Sequence, residues 1–488
     1  MRLLFASSEV FPLAKTGGLA DVSASLPRAL AALGHEVWVA LPAYPAARAA
    51  LAESRRLGPV PGVPGATLVG GRLPGTELPV VLVDAPALFG RAGGPYGDAS
   101  GRDWPDNAQR FHGFARALCA IALDRAGLGW RPDLVHCNDW QTGLVPALLS
   151  RETPRPATVF TIHNQAYQGL FDRARFDALG LPDDWWTPDA LEFYGGFSFL
   201  KAGLVFADQL TTVSPTYARQ LLEPEHGCGL DGVLRHRRDD FTGILNGIDA
   251  EVWNPATDPH LARPYDHATV DAGKRANKVA LQRELGLPAI EAVPLLGLVG
   301  RLVEQKGIDL VAEVIETWRD LPVQWVLLGN GEVRWEERLR KLAADRPERV
   351  AVRIGYDEGL AHRIEAGADF FLMPSRFEPC GLNQMYSQRY GAIPVVHRTG
   401  GLADTVVDAG ARHDGEGKAA TGLVFDEPTP AALARVLERG LGLYRNPAAW
   451  HALRRNAMLG DFGWRRSAEQ YLAVYRRALV DAAGIAPG

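Results

Sequence analysis

Short runs of apolar residues alternate along the chain with longer segments in which apolar residues recur every three or four positions. In the first half these runs lie at residues 2–8, 36–42, 79–85, 133–138, 157–163 and 209–214. The second half repeats the scheme at residues 295–301, 323–329, 350–356, 370–375, 393–398 and 422–426. Buried strands that alternate with amphipathic helices are typical of parallel sheets covered by helices. The pattern predicts an α/β fold with two doubly wound parallel-sheet domains.

The region between the two sets of runs predicts a domain boundary. Residues 245–270 carry prolines and little periodicity, which indicates a linker with the boundary near Ile248. We predict domains at residues 1–247 and 248–460, followed by a C-terminal segment at 461–488. The residues of this segment that share one helical face are Trp464, Ala468, Tyr471, Tyr475 and Leu479. Such a face must dock on another part of the chain.

Composition and charge narrow the class of protein. Of the 488 residues, 47% are hydrophobic and 22% are charged, which fits a folded, soluble chain. The net charge of −5 argues against a nucleic-acid partner, because such proteins usually carry a basic domain or stripe. The length exceeds what one hydrophobic core usually organises, in agreement with two domains.

The cysteines and the N-terminus bear on the compartment. Cys119, Cys137, Cys228 and Cys380 form no Cys-x-x-Cys pair, so neither a zinc site nor a disulfide framework is indicated. The first apolar run reaches Glu9 too early for a secretory signal, and no run approaches the length of a membrane span. We therefore expect a cytoplasmic protein with no membrane partner.

Two similar glycine strings follow apolar runs in the two halves. Lys15 and Thr16 precede Gly17 and Gly18, and a helical pattern begins there. Glycines allow the backbone to approach a ligand, and a helix start favours an anion. The alternative is a glycine turn beside a solvated lysine. The string RTGGLADTV returns at residues 398–406.

Cations also follow the first run of the second half. Only seven lysines occur in the chain, and both Lys15 and Lys306 stand beside glycine-bearing turns. Arg301 precedes Lys306, and an arginine with a lysine suits a diphosphate. The alternative is a pair of surface cations. No Asp-x-Asp motif is present to hold a metal. In open parallel sheets ligands bind beyond the carboxyl ends of strands, so we expect a cleft between the two domains.

Several polar residues follow other predicted strands. Glu378 precedes a helix near Asn383, where a carboxylate could accept sugar hydroxyls and Gly381 and Leu382 could offer N–H groups to phosphate. The alternatives are favourable pairing of Glu378 with the helix dipole and an N-cap role for Asn383. We expect Cys380 to be an unreactive lining residue because no partner base is evident.

Three further candidates lie at strand ends or at the predicted domain boundary. His163 and Asp139 each end a strand, and Asn246 lies near the boundary. The alternatives are a structural histidine, an N-cap aspartate and a turn asparagine. Residues 227–232 match Gly-x-Gly-x-x-Gly, but they follow a helical pattern rather than a strand, so NAD binding is unsupported.

Six motifs occur in order across essentially the full length: KTGGLADV, HNQAYQG, LNGID, GRLVEQKG, SRFEPCGLNQ and RTGGLADTV. Together they resemble bacterial glycogen synthases and plant starch synthases. The resemblance implies a GT-B fold, in which two Rossmann-like domains face each other across a cleft and the last helix crosses back to the first domain. It also implies retaining transfer of glucose from ADP-glucose to the non-reducing end of an α-1,4-glucan, with no metal and no other cofactor.

The resemblance also assigns residues to roles. The catalytic residues that it implies are Glu378, His163, Asp139 and Lys15. The donor-binding residues that it implies are Lys15, Gly17, Gly18, Asn246, Arg301, Lys306, Tyr356, Cys380, Gly381, Leu382, Thr399 and Gly400. Within this set Tyr356 stands where the family stacks a ring on adenine. Two residues depart from the family pattern: Asn383 replaces a frequent threonine, and Gln165 replaces a commoner leucine. We expect altered tuning rather than lost activity.

Other functions remain open on the sequence alone. Another GT-B enzyme could use UDP-glucose or make a disaccharide. A phosphorylase is disfavoured by the chain length and the lack of an evident cofactor lysine. A noncatalytic glucan-binding protein would keep aromatic residues but could lose Lys15 or Lys306, and both are present. No paired carboxylates stand out as nucleophile and acid, so we favour same-face attack assisted by the leaving phosphate. The oligomeric state is not indicated.

Overall fold

The chain folds into two compact units. The computed structural model describes residues 1–98, 100–410 and 419–484. The first unit comprises Met1–Gly247 together with the segment that begins at Trp464, and the second comprises Ile248–Gly463. The second unit therefore runs past the predicted end at residue 460, and the last helix begins at Trp464 rather than at 461.

Strands occupy all twelve predicted positions, and the described residues form six further strands. Those of the first unit are β1 (Arg2–Ala6), β2 (Glu36–Pro42), β3 (Ala52–Pro59), β4 (Thr67–Arg72), β5 (Pro79–Asp84), β6 (Leu134–Asn138), β7 (Ala157–Ile162), β8 (Leu170–Phe171), β9 (Glu192–Phe193), β10 (Gly196–Ser198), β11 (Gln209–Thr212) and β12 (Phe241–Gly243). Those of the second unit are β13 (Leu295–Val299), β14 (Gln324–Gly329), β15 (Val350–Ile354), β16 (Phe370–Met373), β17 (Ile393–His397) and β18 (Leu423–Phe425).

Helices fill the intervals between the strands. Those before the boundary are α1 (Gly18–Ala32), α2 (Pro45–Ala50), α3 (Pro86–Phe89), α4 (Asn107–Ala122), α5 (Leu144–Ser150), α6 (Arg173–Ala178), α7 (Phe199–Phe206), α8 (Pro215–Leu221) and α9 (Asp231–His236). Those after it are α10 (Val270–Glu284), α11 (Ile308–Thr317), α12 (Val333–Asp345), α13 (Glu358–Gly367), α14 (Asn383–Arg389), α15 (Gly400–Thr405), α16 (Pro430–Tyr444), α17 (Pro447–Met458) and α18 (Trp464–Ala482). Short 3₁₀ turns lie at Trp140–Thr142, Asp183–Trp185, Arg238–Asp240 and Glu304–Lys306.

The main sheet of the first unit has its strands in the order β12-β11-β7-β6-β1-β2-β5-β4-β3. Its strands run parallel from β12 to β5, whereas β4 is antiparallel to β5 and to β3. The strand order reverses direction beside β1, where β6 and β2 flank it. Loops after β1 and β6 therefore leave the sheet at a topological switch point, where open α/β sheets bind ligands.

The sheet of the second unit is parallel throughout and has the order β15-β14-β13-β16-β17-β18. In chain order this is the 3-2-1-4-5-6 arrangement of a dinucleotide-type Rossmann domain. Its switch point lies between β13 and β16, and the loops after these two strands carry five of the eight predicted donor residues of the second unit. The predicted α/β class with two Rossmann-like sheets is confirmed.

The last helix packs inside the first unit, against α1, β7 and β11. Trp464, Tyr471 and Tyr475 on its predicted face are buried. The Tyr475 hydroxyl lies 2.8 Å from Nδ1 of the buried His136. Burial lowers the pKa of His136 to about 3, so this contact joins two neutral groups. The amphipathic face predicted from the sequence is thus the docking face.

The predicted linker at residues 245–270 is wrong for most of its length. From Ile248 onward the segment belongs to the second unit. The Trp253 ring stacks on His362 and on Tyr386, each with a centroid distance of 3.8 Å. The Tyr265 hydroxyl donates to the Tyr390 carbonyl at 2.7 Å. Aromatic packing, rather than periodic apolar residues, holds this segment.

None of the helices in the described part of the chain is long and apolar enough to cross a membrane.

Candidate active site

The predicted donor residues of the second unit gather around its switch point. Lys306 ends the short turn Glu304–Lys306 after β13, and Glu378 lies in the loop after β16. Lys306 Nζ donates to Glu378 Oε2 at 2.5 Å, and Ser375 Oγ donates to the same oxygen at 2.9 Å. The Lys306 side chain is 24% exposed and that of Glu378 is 8% exposed. Two residues far apart in sequence therefore form one shielded ion pair.

The alternative interpretation of Glu378 was a favourable interaction with the helix dipole alone. The structure shows that its carboxylate also has two direct side-chain partners. The carboxylate is held by a lysine and a hydroxyl, both N-terminal to it in the sequence. A charge-assisted bond to lysine is stronger than a bond between neutral groups. It fixes the carboxylate where a sugar hydroxyl could donate to the other oxygen.

Arg301 follows β13 and Tyr356 follows β15, two strands of the same sheet that are separated by β14. Arg301 Nη2 lies 3.4 Å from Gln305 Oε1, near the start of the Lys306 turn. Tyr356 follows β15, is 69% exposed, and its hydroxyl donates to Glu358 Oε2 at 2.7 Å. A tethered, exposed ring at a strand end can stack on a flat ligand, as the predicted adenine contact requires.

The loop after β16 is packed against the second glycine string. The Gly401 N–H donates to the carbonyls of Glu378 at 3.3 Å and Pro379 at 3.2 Å. A Cβ atom at Gly401 would lie 2.5 Å from Cys380 Cα, and one at Gly400, where φ is +43°, would collide with the Glu378 carbonyl. Thr399, which precedes them, is buried. Because Gly400 and Gly401 have no side chain, the backbone of the second glycine string can pack directly against the backbone of residues 378–380.

The helix that follows this loop begins at Asn383, in agreement with the prediction of a helix near that residue. Asn383 is the first residue of α14 rather than its N-cap, which is Leu382. The Asn383 side chain turns back, and its Nδ2 donates to the Val299 carbonyl at 2.8 Å. The departure from the family pattern at this position thus ties the loop to the end of β13. Gly381 has φ +71°, a conformation that favours glycine, and Cys380 is buried.

In the first unit, the loop that carries Lys15 is built around a carboxylate that the sequence analysis missed. Glu9 is 2% exposed and accepts hydrogen bonds from Thr16 N–H, Thr16 Oγ1 at 2.6 Å and Gly17 N–H at 3.3 Å. The Tyr96 hydroxyl also donates to Glu9 at 2.5 Å. A buried acid just upstream of a Thr-Gly-Gly turn was the available signal, since such a turn offers N–H donors.

Lys15 itself is not simply solvated. Its Nζ lies 2.9 Å from Asp21 Oδ1 and 5.1 Å from the centroid of the Phe11 ring. Asp21 belongs to the first turn of α1. The cation is therefore held beside the start of a helix that begins at Gly18, in the setting predicted for an anion.

Gly17 differs from the glycines of the second string. Its φ is −158°, an extended conformation that any residue can adopt, and a Cβ atom there would meet no atom within 4 Å. No packing requirement of the described residues explains a glycine at this position. Open space over this backbone is consistent with close approach by a ligand.

Asp139 lies at the switch point of the first unit, directly after β6. Its φ and ψ are +56° and 177°, a region that residues other than glycine occupy only at a cost of about 1–3 kcal/mol. Its Oδ1 accepts from the N–H groups of His163 at 2.7 Å and Asn164 at 3.4 Å. The side chain caps no helix, so the alternative N-cap interpretation is wrong. Such backbone strain is common at functional sites, so it is consistent with the predicted role of Asp139.

His163 is held in one neutral tautomer. Asn138 Nδ2 donates to the Ala6 carbonyl at 3.0 Å, which turns Asn138 Oδ1 toward His163 Nε2 at 2.9 Å. Nε2 therefore carries the proton, and Nδ1 is left as an acceptor. Burial lowers the pKa of His163 to about 3, so the ring stays neutral at neutral pH. It can accept a hydrogen bond from a hydroxyl but cannot act as a standing cation.

Asn246 and Gln165 complete the predicted set in this unit. Asn246 is 7% exposed, and within the described residues its Oδ1 is buried without a hydrogen-bond partner. Buried polar atoms are usually satisfied, so this amide suits a ligand hydroxyl. Gln165 is buried, and its Nε2 donates to the Gly227 carbonyl at 3.2 Å. The second departure from the family pattern thus anchors a loop.

Replacing Asp139 with asparagine should change how stability depends on pH. Burial raises the pKa of Asp139 from 3.8 to about 7, which outweighs the two N–H bonds that lower it. Because the pKa of Asp139 is higher in the folded than in the unfolded state, the free energy of unfolding falls as pH rises from about 4 to about 7. The raised pKa corresponds to a loss of roughly 4 kcal/mol in the free energy of unfolding across that range. Asparagine can still accept both N–H groups, so the Tm of Asp139→Asn should exceed that of the wild type increasingly from pH 4 to 8.

The measurement is differential scanning calorimetry of both proteins at several pH values. Asp239→Asn is the matched control, because the Asp239 side chain is 94% exposed and lies in the same unit. That control should shift Tm by little and equally at every pH. A difference between Asp139→Asn and wild type that does not vary with pH would contradict the buried, raised-pKa carboxyl.

Cysteine and metal chemistry were also considered. Cys119, Cys137 and Cys380 are buried and Cys228 is exposed, and all four are free thiols. Among the residues that the structure describes, no cluster of three or more His, Cys, Asp or Glu side chains could hold a metal ion.

Comparisons with known proteins agree over nearly the whole chain. Residues 2–236 match the family described as starch synthase catalytic domain, and residues 287–456 match glycosyl transferases group 1. Glycogen synthase 1 of Methylococcus capsulatus is 56% identical, and the match covers 98% of this chain and 97% of that protein. Glycogen synthase of Thioalkalivibrio sulfidiphilus is 55% identical, with 98% and 99% covered.

A solved structure is similar at the same length. The catalytic domain of starch synthase IV from Arabidopsis thaliana, bound to ADP and acarbose, superimposes with a TM-score of 0.89. It is 34% identical, and the match covers 98% of this chain and 99% of that one. Sucrose-phosphate synthase from Thermosynechococcus elongatus, at 19% identity and a TM-score of 0.60, shares the fold.

Proposed function

This chain belongs to the family of bacterial glycogen synthases and starch synthases, and from that premise we propose how its own residues transfer glucose. The donor is ADP-glucose, the acceptor is the non-reducing end of an α-1,4-glucan, and ADP is released. The single observation that carries the proposal is the Lys306 to Glu378 pair, 2.5 Å long, at the switch point of the second sheet. Ligands of Rossmann-type sheets bind at such a point.

In the proposal, the two residues of the pair act on different parts of the donor. Lys306, together with Arg301, neutralises the diphosphate as it gains charge, while Glu378 accepts hydroxyls of the transferred glucose. Stabilisation of charge that grows only in the transition state raises turnover most. A cation 4 Å from a phosphate contributes about 1 kcal/mol in water but about 4 kcal/mol at an effective dielectric of 20. The shielded position of the pair supports the larger figure.

The first unit supplies complementary groups in the proposal. Lys15 adds a cation beside a helix start, and the open backbone at Gly17 admits the donor. Neutral His163 accepts a hydroxyl at Nδ1, and the unpartnered amide oxygen of Asn246 accepts another. Asp139 orients the His163 backbone through its N–H contact. All these groups act on uncharged hydroxyls or on phosphate.

Retention of configuration follows from same-face attack. The bond from the glucose C1 to the β-phosphate oxygen of ADP breaks, and a bond from C1 to the acceptor O4 forms. The proton of the acceptor hydroxyl passes to the leaving phosphate oxygen. Glu378 is held by Lys306 and Ser375, and Asp139 Oδ1 accepts from the His163 and Asn164 N–H groups, so in the proposal neither carboxylate attacks C1. A covalent glycosyl-enzyme on either residue would contradict this step.

We propose that cations replace a metal in this reaction and that it takes place in the cytoplasm. The cation set of Lys15, Arg301 and Lys306 supplies the charge that magnesium provides elsewhere. The four free thiols suit a reducing compartment.

The test follows glucose incorporation into glycogen with ADP-glucose or UDP-glucose, each with and without EDTA. We expect incorporation and stoichiometric ADP release from ADP-glucose, unchanged by EDTA, with an α-1,4 product by NMR. Preference for UDP-glucose would assign another donor, and inhibition by EDTA would refute metal independence. Phosphate-dependent release of glucose 1-phosphate would indicate a phosphorylase. Glucan binding without turnover would indicate a binding protein.

A further inference from the structure

Exposed apolar side chains of the first unit concentrate in one segment. Among the described residues, the large ones are Tyr167 at 50%, Leu170 at 55%, Tyr194 at 84% and Val480 at 37% exposure. Three of these four lie between residues 164 and 198, in the stretch that follows His163. Single exposed apolar residues need no explanation, but a cluster beside a site does.

The neighbouring tryptophans do not form part of this surface. Trp185 is 3% exposed and packs against Phe206 with a centroid distance of 5.5 Å. Trp186 packs edge-on against Phe176 at 5.0 Å. Core packing explains both rings, and the exposed aromatic surface is left to the tyrosines.

Tyr194 is placed at the tip of the hairpin formed by β9 and β10. Its φ is +50°, an uncommon value for an aromatic residue, and Gly195 follows with φ +83°. The Gly195 N–H donates to Glu192 Oε1 at 2.7 Å, which closes the turn. The backbone accepts strain at the residue whose ring is most exposed, and such strain clusters at functional positions.

The Tyr194 ring is supported from one side. Its centroid lies 4.7 Å from that of Phe193 at an interplanar angle of 82°. A Cβ atom at Gly229 would lie 3.1 Å from Tyr194 Cε2 and 3.0 Å from Phe193 Cζ. Phe193 and Gly229 thus steady one edge, while most of the ring faces solvent. A tyrosine side chain has few rotatable bonds, so little entropy is lost when a ligand stacks on it.

The Tyr194 tip is continuous with the segment that leaves His163. Gln168 Nε2 donates to the Cys228 carbonyl at 2.9 Å, next to Gly229. The Tyr167 N–H donates to the Asn164 carbonyl at 3.2 Å, immediately after His163. The surface from residue 164 through the 226–229 loop to the hairpin tip is therefore one connected layer that begins beside His163.

The chemistry of the tip suits a neutral sugar. Lys201 Nζ, the nearby cation, donates to the Glu192 carbonyl at 2.6 Å, and Glu192 Oε1 is used by Gly195. Lys201 and Glu192 thus make hydrogen bonds to backbone groups of this segment, and the surface at the tip presents a flat ring rather than a charge. Two exposed tyrosines and one exposed leucine offer far less area than the roughly 800 Å² per partner that a stable protein interface buries.

We propose that Tyr194 is a stacking residue for the α-1,4-glucan acceptor, and that it contacts glucose residues away from the reacting end. The proposal rests on the proposed function, because it takes the glucan from there. The ring contributes to retention of long chains and not to the chemistry at C1. Short acceptors that end before the hairpin tip are used independently of it.

The experiment compares Tyr194→Ala and Tyr194→Asn with wild type. Asparagine tolerates positive φ, so the second variant removes the ring without adding backbone strain. Glycogen binding is measured without donor by affinity electrophoresis in glycogen-containing gels. We expect the dissociation constant to rise about 5- to 20-fold in both variants, as for loss of one stacking ring. Tyr194→Trp should restore binding, and Val480→Ala, an exposed apolar control in the same unit, should change nothing.

Kinetics separate this role from a structural one. The KM for glycogen should rise by a similar factor, whereas kcat/KM for ADP-glucose with maltotriose should stay within about twofold. Equal glycogen binding by wild type and both variants would overturn the proposal, as would an equal loss with maltotriose. If wild type incorporates no glucose but binds glycogen through Tyr194, the proposed function fails while the stacking contact stands.

Discussion

Lys306→Ala is expected to lower kcat/KM for ADP-glucose by roughly 10²–10³-fold, the usual loss when one preorganised charge partner of a transition state is removed. The lysine is the cation that contacts the Glu378 carboxylate at 2.5 Å, at the point where the two central loops of the second sheet meet. Steady-state kinetics with saturating glycogen would measure the effect. Lys341→Ala, an exposed lysine on α12, is the matched control and should retain wild-type kinetics.

The same substitution should also lower stability, for a separable reason. Among the described residues it leaves Glu378, 8% exposed, with Ser375 as its side-chain donor, so a shielded charge loses its counter-ion. Lys306→Ala combined with Glu378→Gln removes that unpaired charge. The double variant should recover most of the lost Tm but none of the lost activity. Near-normal donor kinetics in Lys306→Ala, or recovery of activity in the double variant, would contradict the assigned role.

The central strands could be predicted because burial on both faces leaves a direct mark on sequence. Runs such as residues 134–138 and 324–329 are buried at every position, as parallel strands between helices must be. The edge hairpin of β3 and β4 was missed because Ala52–Pro59 is mostly exposed and charged. Edge strands often carry such charges, which hide them from a hydrophobic pattern.

The residues after Ile248 could not be placed because their order comes from distant contacts. Trp253 is held by rings on α13 and α14, more than a hundred residues later in the chain. An aperiodic, proline-containing segment resembles a linker until those partners are known. Local pattern reports backbone preference, whereas packing between remote aromatic rings depends on the completed fold.

The sequence predicted where several residues of the candidate site lie, but it did not predict which of them contact each other. The general rule that ligands lie beyond strand ends located Lys15, Lys306 and Glu378 from sequence. Which of them pair could not be predicted, because Lys306 and Glu378 meet only once β13 and β16 become neighbours. Glu9 was missed because a buried carboxylate that organises a loop looks like any surface acid in a sequence.

The two glycine strings have similar sequences, but their glycines have different surroundings, so we expect their substitution to have different effects. Gly401→Ala should lower the Tm of the second unit by more than about 5 °C and abolish transfer. Its Cβ would lie 2.5 Å from Cys380 Cα, in backbone that has no flexible end to move aside. Separation of the two loops would also displace Glu378, whose carbonyl accepts the Gly401 N–H.

Gly17→Ala should behave in the opposite way, because its Cβ would enter open space in an extended backbone. We expect Tm to stay within about 1 °C while kcat/KM for ADP-glucose falls at least tenfold, since a methyl group would occupy the room that the donor requires. Gly442→Ala, at an exposed helical position with no atom within 4 Å, is the control and should raise Tm slightly. Calorimetry gives Tm and initial rates give kcat/KM, and unimpaired donor use by Gly17→Ala would contradict the prediction that the donor occupies the space over Gly17.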